Sequence, residues 1–156
     1  MDKKELVNEI ANNFGFVFGG YVRDTIAGKS TNDIDCCIDP KYRFSFKKFL
    51  LRHFGSFGVL ALEYYCSNYD NSIHLERFVV HGDEQMQIDV VSNLVFSPDF
   101  DINTLRLNRY GLNSFLDYLS VPKILENIRN GKARKLIRCT DKREEKMRMK
   151  GWEIIV

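Results

Sequence analysis

Apolar side chains return along this chain with two different periods, and the switches between them outline its elements. Leu6, Val7, Ile10, Ala11 and Phe14 recur every three or four positions, which predicts an amphipathic helix over residues 3–13 that ends at Gly15. Phe16-Val17-Phe18 is a short apolar run broken by Gly19-Gly20, and residues 21–27 read as a second helix stopped at Gly28. Residues 29–32 are polar, and Asp33 to Ile38 alternates as a strand does. A third helix opens at Pro40, whose missing N–H costs nothing in a first turn, and carries Phe44, Phe49, Leu50 and Phe54. Residues 57–66 and 73–80 predict strands about a turn at 68–72, and a turn at 81–84 leads into another strand at 86–91. A hairpin over 105–109 and 113–118 turns about Tyr110-Gly111. A helix over 122–130, a strand over 134–139 and a short helix over 141–150 complete the pattern. The expected fold is α/β (α+β), a mixed sheet of about five strands flanked by helices.

Length and composition narrow the class. A chain of 156 residues suits one domain, and twelve Phe and seven Tyr against three Pro exclude a disordered or linker-rich one. No stretch approaches the ~18 apolar residues that span a bilayer. The start, MDKKELVNEI, lacks the apolar centre of a signal peptide, so a soluble cytoplasmic protein with no membrane partner is expected. Cys36, Cys37, Cys66 and Cys139 form no CxxC pair and read as reduced, small hydrophobes. Charge is unevenly spread, with a net −4 over residues 1–121 and a net +6 over 122–156. The basic stretch is either a solvated helix or a polyanion-binding surface. Its apolar end, Trp152-Glu153-Ile154-Ile155-Val156, implies docking on the rest of the domain or on a second subunit.

Candidate chemistry begins at Asp33-Ile34-Asp35. On a strand, side chains i and i+2 share a face, so the two carboxylates project together and suit Mg²⁺, which prefers hard oxygen ligands. The pattern alone is weak, since Asp99-Phe100-Asp101 has the same spacing. Gly19-Gly20 between a strand and a helix is either a tight corner or a phosphate cradle, where backbone can approach an anion and Arg23 adds a charged fork. Asp89 lies between apolar neighbours in a strand, where an unpaired charge is costly, so it faces a cation, an arginine or solvent. His53, His74 and His81 show no metal-ligand spacing, and no GxSxG, Walker A or HExxH pattern occurs.

Taken together, Phe18-Gly19-Gly20-Tyr21-Val22-Arg23-Asp24, then Gly28 and Asp33-Ile34-Asp35, resemble motif A of the class II tRNA nucleotidyltransferase (CCA-adding)/poly(A) polymerase head domain. That family belongs to the polymerase β nucleotidyltransferase superfamily. Asp89 falls where the family has its third carboxylate, and Asp99-Phe100-Asp101-Ile102-Asn103 is similar to part of its second motif. The resemblance covers about residues 5–147. It implies a head domain over 1–121 with a basic extension, 122–156, packed on the same domain. It also implies a fold and a chemistry: transfer of a nucleoside monophosphate from an NTP to a hydroxyl, an RNA 3′ end by family preference. Asp33, Asp35 and Asp89 would be the catalytic residues and would form a two-metal Mg²⁺ site, with Mn²⁺ as a substitute. Gly19, Gly20 and Arg23 would contact the triphosphate, Asp24 would support the loop, and Asp99 and Asn103 would lie near the ribose. Where the family's second motif opens with two arginines, this chain has Ser97 and Pro98. The family also continues into domains that select the base and hold tRNA, whereas this chain ends at Val156; compact proteins of large DNA viruses are similar in this respect. Two further readings therefore stand beside the first: a toxin-like transferase acting on a protein or small molecule, and a nucleotide- or RNA-binding module without turnover.

Overall fold

The coordinates are a computed structural model; they describe residues 1–56, 58–66, 73–91, 99–137 and 139–156, with backbone alone at 60–66 and 73–75. The expected first helix forms as α1 (Lys3–Asn13). Asp2 and Glu5 cap it reciprocally, each side chain accepting from the other's backbone N–H. Its stripe of Leu6, Val7, Ile10 and Ala11 is buried. There follow β1 (Gly15–Phe18), the seven-residue α2 (Gly20–Ile26) and β2 (Asp33–Ile38). Pro40 starts a 3₁₀ turn, Pro40–Tyr42, that runs into α3 (Arg43–Phe54).

The strands β3 (Val59–Cys66), β4 (Ile73–His81) and β5 (Gln85–Val91) form a meander, and β6 (Leu105–Asn108) and β7 (Gly111–Ser114) form the hairpin. All seven belong to one sheet in the order β3-β4-β5-β2-β1-β6-β7. The expected mixed sheet is present, and pairing of β6 with β1 extends it by the hairpin. Within this sheet, among the described residues, β2 and β5 run parallel and every other neighbouring pair is antiparallel.

Register divides the sheet into two faces. Ile34, Cys36 and Ile38 alternate with Asp33, Asp35 and Cys37 along β2, and the first set is buried. On that buried face α3 packs Phe46 edge-on to Phe78 of β4 at 5.9 Å, and Phe14 at the end of α1 meets Phe46 at 5.2 Å. Glu76, also buried there, pairs with Lys47 at 2.7 Å and Arg43 at 3.4 Å and so ties α3 to the sheet.

The C-terminal part comprises α4 (Val121–Arg129), β8 (Lys132–Arg134), α5 (Asp141–Met149) and β9 (Glu153–Ile155). Two expectations are corrected here. The hairpin's second strand is Gly111–Ser114 rather than 113–118: Phe115 N–H makes the last bond in register, to the Thr104 carbonyl, and the chain then turns, Leu116 N–H donating to Ser114 Oγ and Leu119 N–H to the Leu116 carbonyl. The strand expected at 134–139 lies at Lys132–Arg134 and pairs in parallel with β9 as a separate ribbon; beyond it Lys135 N–H still donates to the Ile155 carbonyl, Lys135 bridges to Phe100, Leu136 N–H donates to the Asp99 carbonyl, and Ile137 is fully exposed. Met147 and Trp152 are buried in the same core as α1 and the sheet. Ser97, Pro98 and the 68–72 turn lie outside the described residues.

Candidate active site

Parallel pairing of β2 with β5 sets Asp35 directly opposite Asp89, and Asp33 lies two residues before Asp35 on the same face. The three sequence-predicted carboxylates are thus brought to one patch on neighbouring central strands. Burial, then the charges of Asp89 and Asp33, push the Asp35 carboxyl up to about 7, against the opposite pull of Arg77 and Arg23.

The turn Gly19-Gly20 borders this patch. Phe18 pairs with Asp35, so the chain leaves β1 beside that carboxylate, and a Cβ on Gly19 would lie 3.8 Å from Asp35 Oδ2. Gly19 has φ of 72°, a conformation glycine adopts freely and other residues do not. Its N–H donates to the Leu105 carbonyl at 3.4 Å and its carbonyl accepts from Arg23 N–H at 3.2 Å. The turn is anchored on both sides.

Arg23 is buried. Its Nε donates to Asp24 at 2.8 Å and its Nη1 to Asn103 Oδ1 at 2.8 Å, while the guanidinium lies 5.6 Å from the Trp152 ring. Asn103 in turn donates to Asp99, whose other oxygen accepts from Arg143 of α5 at 2.7 and 2.8 Å. Asp24, Arg23, Asn103, Asp99 and Arg143 therefore form one chain of charge-assisted hydrogen bonds from α2 to α5. Asp101, of the second Asp-x-Asp, serves the fold: its oxygens accept from Ile102 N–H, Arg134 N–H and Asn127.

Arg77 is the residue that sequence reasoning missed. Directly opposite Asp89 on β4, it donates Nε to Oδ1 at 2.7 Å and Nη2 to Oδ2 at 3.2 Å. The sequence leaves Asp89 facing a cation, an arginine or solvent, and only the register of β4 on β5 says that it meets Arg77.

The donor set suits a hard divalent cation in kind. It offers only carboxylate oxygens, and a cation there would offset the burial, and after it the charges of Asp89 and Asp33, that raise Asp35. As the side chains stand, no three acidic, histidine or cysteine groups among the described residues are gathered closely enough to hold an ion, and Asp89 is engaged by Arg77. Among the same residues, no helix is long and apolar enough to cross a membrane.

This mixed sheet with helices on its flanks has the polymerase β-like fold seen in CCA-adding enzymes. Similar solved structures include a CCA-adding enzyme in complex with CTP, with a TM-score of 0.57 and 18% identity. Another is the Thermotoga maritima CCA-adding enzyme complexed with tRNA, with a TM-score of 0.56 and 19% identity. Each alignment covers 87% of this chain, which spans about a third of the other's length, 34% and 33% respectively. An apo form of a CCA-adding enzyme matches over the whole chain with a TM-score of 0.55 and 16% identity, covering 42% of that chain. The likeness is one of fold. No family model and no curated protein matches the chain.

Proposed function

We propose that this protein is a Mg²⁺-dependent nucleotidyltransferase that moves a nucleoside monophosphate from an NTP to the 3′-hydroxyl of an RNA. The observation that carries the reading is the register of Asp33, Asp35 and Asp89 on one sheet face, bordered by the Gly19-Gly20 turn. The acceptor oxygen attacks the α-phosphorus, the bond from the α-phosphorus to the bridging oxygen breaks, and pyrophosphate leaves. Such a transfer asks the protein for positioning and for charge stabilisation. Asp33, Asp35 and Asp89 would hold the metal, which when bound neutralises charge on the phosphates and makes the hydroxyl easier to deprotonate. Gly19 and Gly20 let the triphosphate approach the backbone without a Cβ in the way. Arg23 lends positive charge to the same corner, and its links to Asp24, Asn103 and Asp99 fix the turn relative to the carboxylates.

A second reading, a binding module without turnover, is favoured by one observation: both oxygens of Asp89 accept from Arg77. Incubation with each α-³²P-labelled NTP, Mg²⁺ and total RNA or protein separates the possibilities. The expected result is label on RNA, abolished in Asp33→Asn and Asp35→Asn variants that keep the parent's circular dichroism. Label on protein would identify a different acceptor, and no label with retained NTP binding would establish the binding module.

A further inference from the structure

The sheet face that carries the carboxylates continues past them. Cys37 follows Asp33 and Asp35 at the same two-residue step, and it pairs with Phe16 as Asp35 pairs with Phe18. At that end the face opens into a cleft of about 440 Å³ whose lining includes Phe16, Cys37, Asp39, Asn108, Arg109 and Tyr110. The volume is that of a small-ligand site.

Its walls are built from planar groups. The Phe16 ring meets Phe115 edge-on at 5.6 Å, and the Arg106 guanidinium lies 5.6 Å from one ring and 5.1 Å from the other while donating to Asn113. The Phe16 wall is thus held from behind. At the mouth, Tyr110 sits on the hairpin tip with 82% of its surface exposed, and the Arg109 guanidinium lies 5.0 Å from its ring. An exposed tyrosine on a turn adds little to the core, yet a ring and a guanidinium together form the surface on which unpaired bases stack. Asp39 and Asn108 also line the cleft, where Asp39 Oδ1 accepts from Lys41 N–H at 3.1 Å and Asn108 Oδ1 from Tyr110 N–H at 2.9 Å, the latter holding the hairpin tip in place.

Placement selects which nucleotide this would be. Asp39 is four residues from Asp35, about 13 Å at ~3.3 Å per strand residue. The Gly19-Gly20 turn lies off the other end of β1, so a triphosphate there and a base in the cleft would occupy opposite sides of Asp35. We propose that this cleft takes an unpaired base of the RNA acceptor, a few nucleotides upstream of its 3′ end. The proposal rests on the RNA-acceptor reading above.

The test uses the full chain, a 5′-fluorescein-labelled ten-nucleotide single-stranded RNA and anisotropy titration. Tyr110→Ala should weaken RNA binding roughly tenfold, the scale of one lost base stack, and Arg109→Ala should weaken it less. Tyr110→Phe should retain parental affinity. Calorimetric NTP affinity and melting temperature should be unchanged in all three variants, because both side chains are exposed. RNA affinity within twofold of the parent in both alanine variants would overturn the cleft, as would an equal loss of NTP affinity or a parent that binds no RNA. Label transfer distinguishes the two readings: RNA bound through Tyr110 but never extended keeps the cleft and removes the transferase. RNA extended by the parent, with Tyr110→Ala binding it equally well, removes the cleft alone.

Discussion

At the residue level, two adjacent glycines have different reasons for being glycine. Gly19 is held at φ 72° with its N–H and carbonyl both engaged, so a side chain there strains the turn whatever the space around it. Gly20 has helical neighbours, and its Cβ would meet Arg23 Nη2 at 3.4 Å and Cζ at 3.9 Å, ordinary contact distances. Gly19→Ala should therefore cost about 1–2 kcal/mol in urea denaturation, while Gly20→Ala should be neutral or slightly stabilising. Equal effects would mean that the turn is not constrained at Gly19. The sequence motif marks both glycines but not this difference, which depends on backbone angles. Asp33 and Asp35 were legible because strand alternation is local. Arg77 and the direction of Arg23 were not, because each is fixed by a partner far along the chain: Asp89 for the first, Asn103 and Trp152 for the second.

At the level of elements, α1, α2, β2, α4 and α5 lie within a residue or two of where periodicity put them, since caps and breakers such as Asp2, Gly28 and Ser120 act locally. The 134–139 strand misled because Leu136 and Ile137 look like strand residues, whereas the pairing partner, β9, ends at Ile155, whose carbonyl accepts from Lys135 N–H, and Leu136 turns to the Asp99 carbonyl instead. Helix α5 holds cations of two kinds. Arg143 is bound to Asp99, while Lys142 and Lys146 are exposed. Under the proposed function, Lys142→Glu with Lys146→Glu should weaken RNA binding and flatten the dependence of log affinity on log salt by about 1–2, as expected for losing two phosphate contacts on a single strand. Arg143→Ala should instead lower stability by at most about 1 kcal/mol, since 42% exposure of its side chain screens the pair. An unchanged salt slope in the double variant would take the α5 lysines off the RNA surface.

At the level of the whole molecule, the carboxylate patch lies on β2 and β5, inside a seven-stranded sheet, so the burial of Asp35 and the charges beside it bear on global stability. Asp35 ionises near its ordinary 3.8 in the unfolded chain and at about 7 when folded. Between those values the folded chain keeps a proton that the unfolded chain has released. Stability from this group is therefore fully present below about pH 4, declines as pH rises towards 7, and stays lost above it. Asp35→Asn removes the titration. In EDTA its melting temperature should exceed the parent's by several degrees at pH 8, with the gap closing towards pH 4. If the patch also holds Mg²⁺, the cation should raise the parent's melting temperature at pH 8, where the carboxylates are charged. It should do so much less at pH 5, where Asp35 must first give up its proton, and hardly at all in Asp35→Asn. Parallel melting curves for parent and variant from pH 4 to 8 would show that Asp35 carries no such strain. A Mg²⁺ shift that survived in Asp35→Asn would place the cation elsewhere.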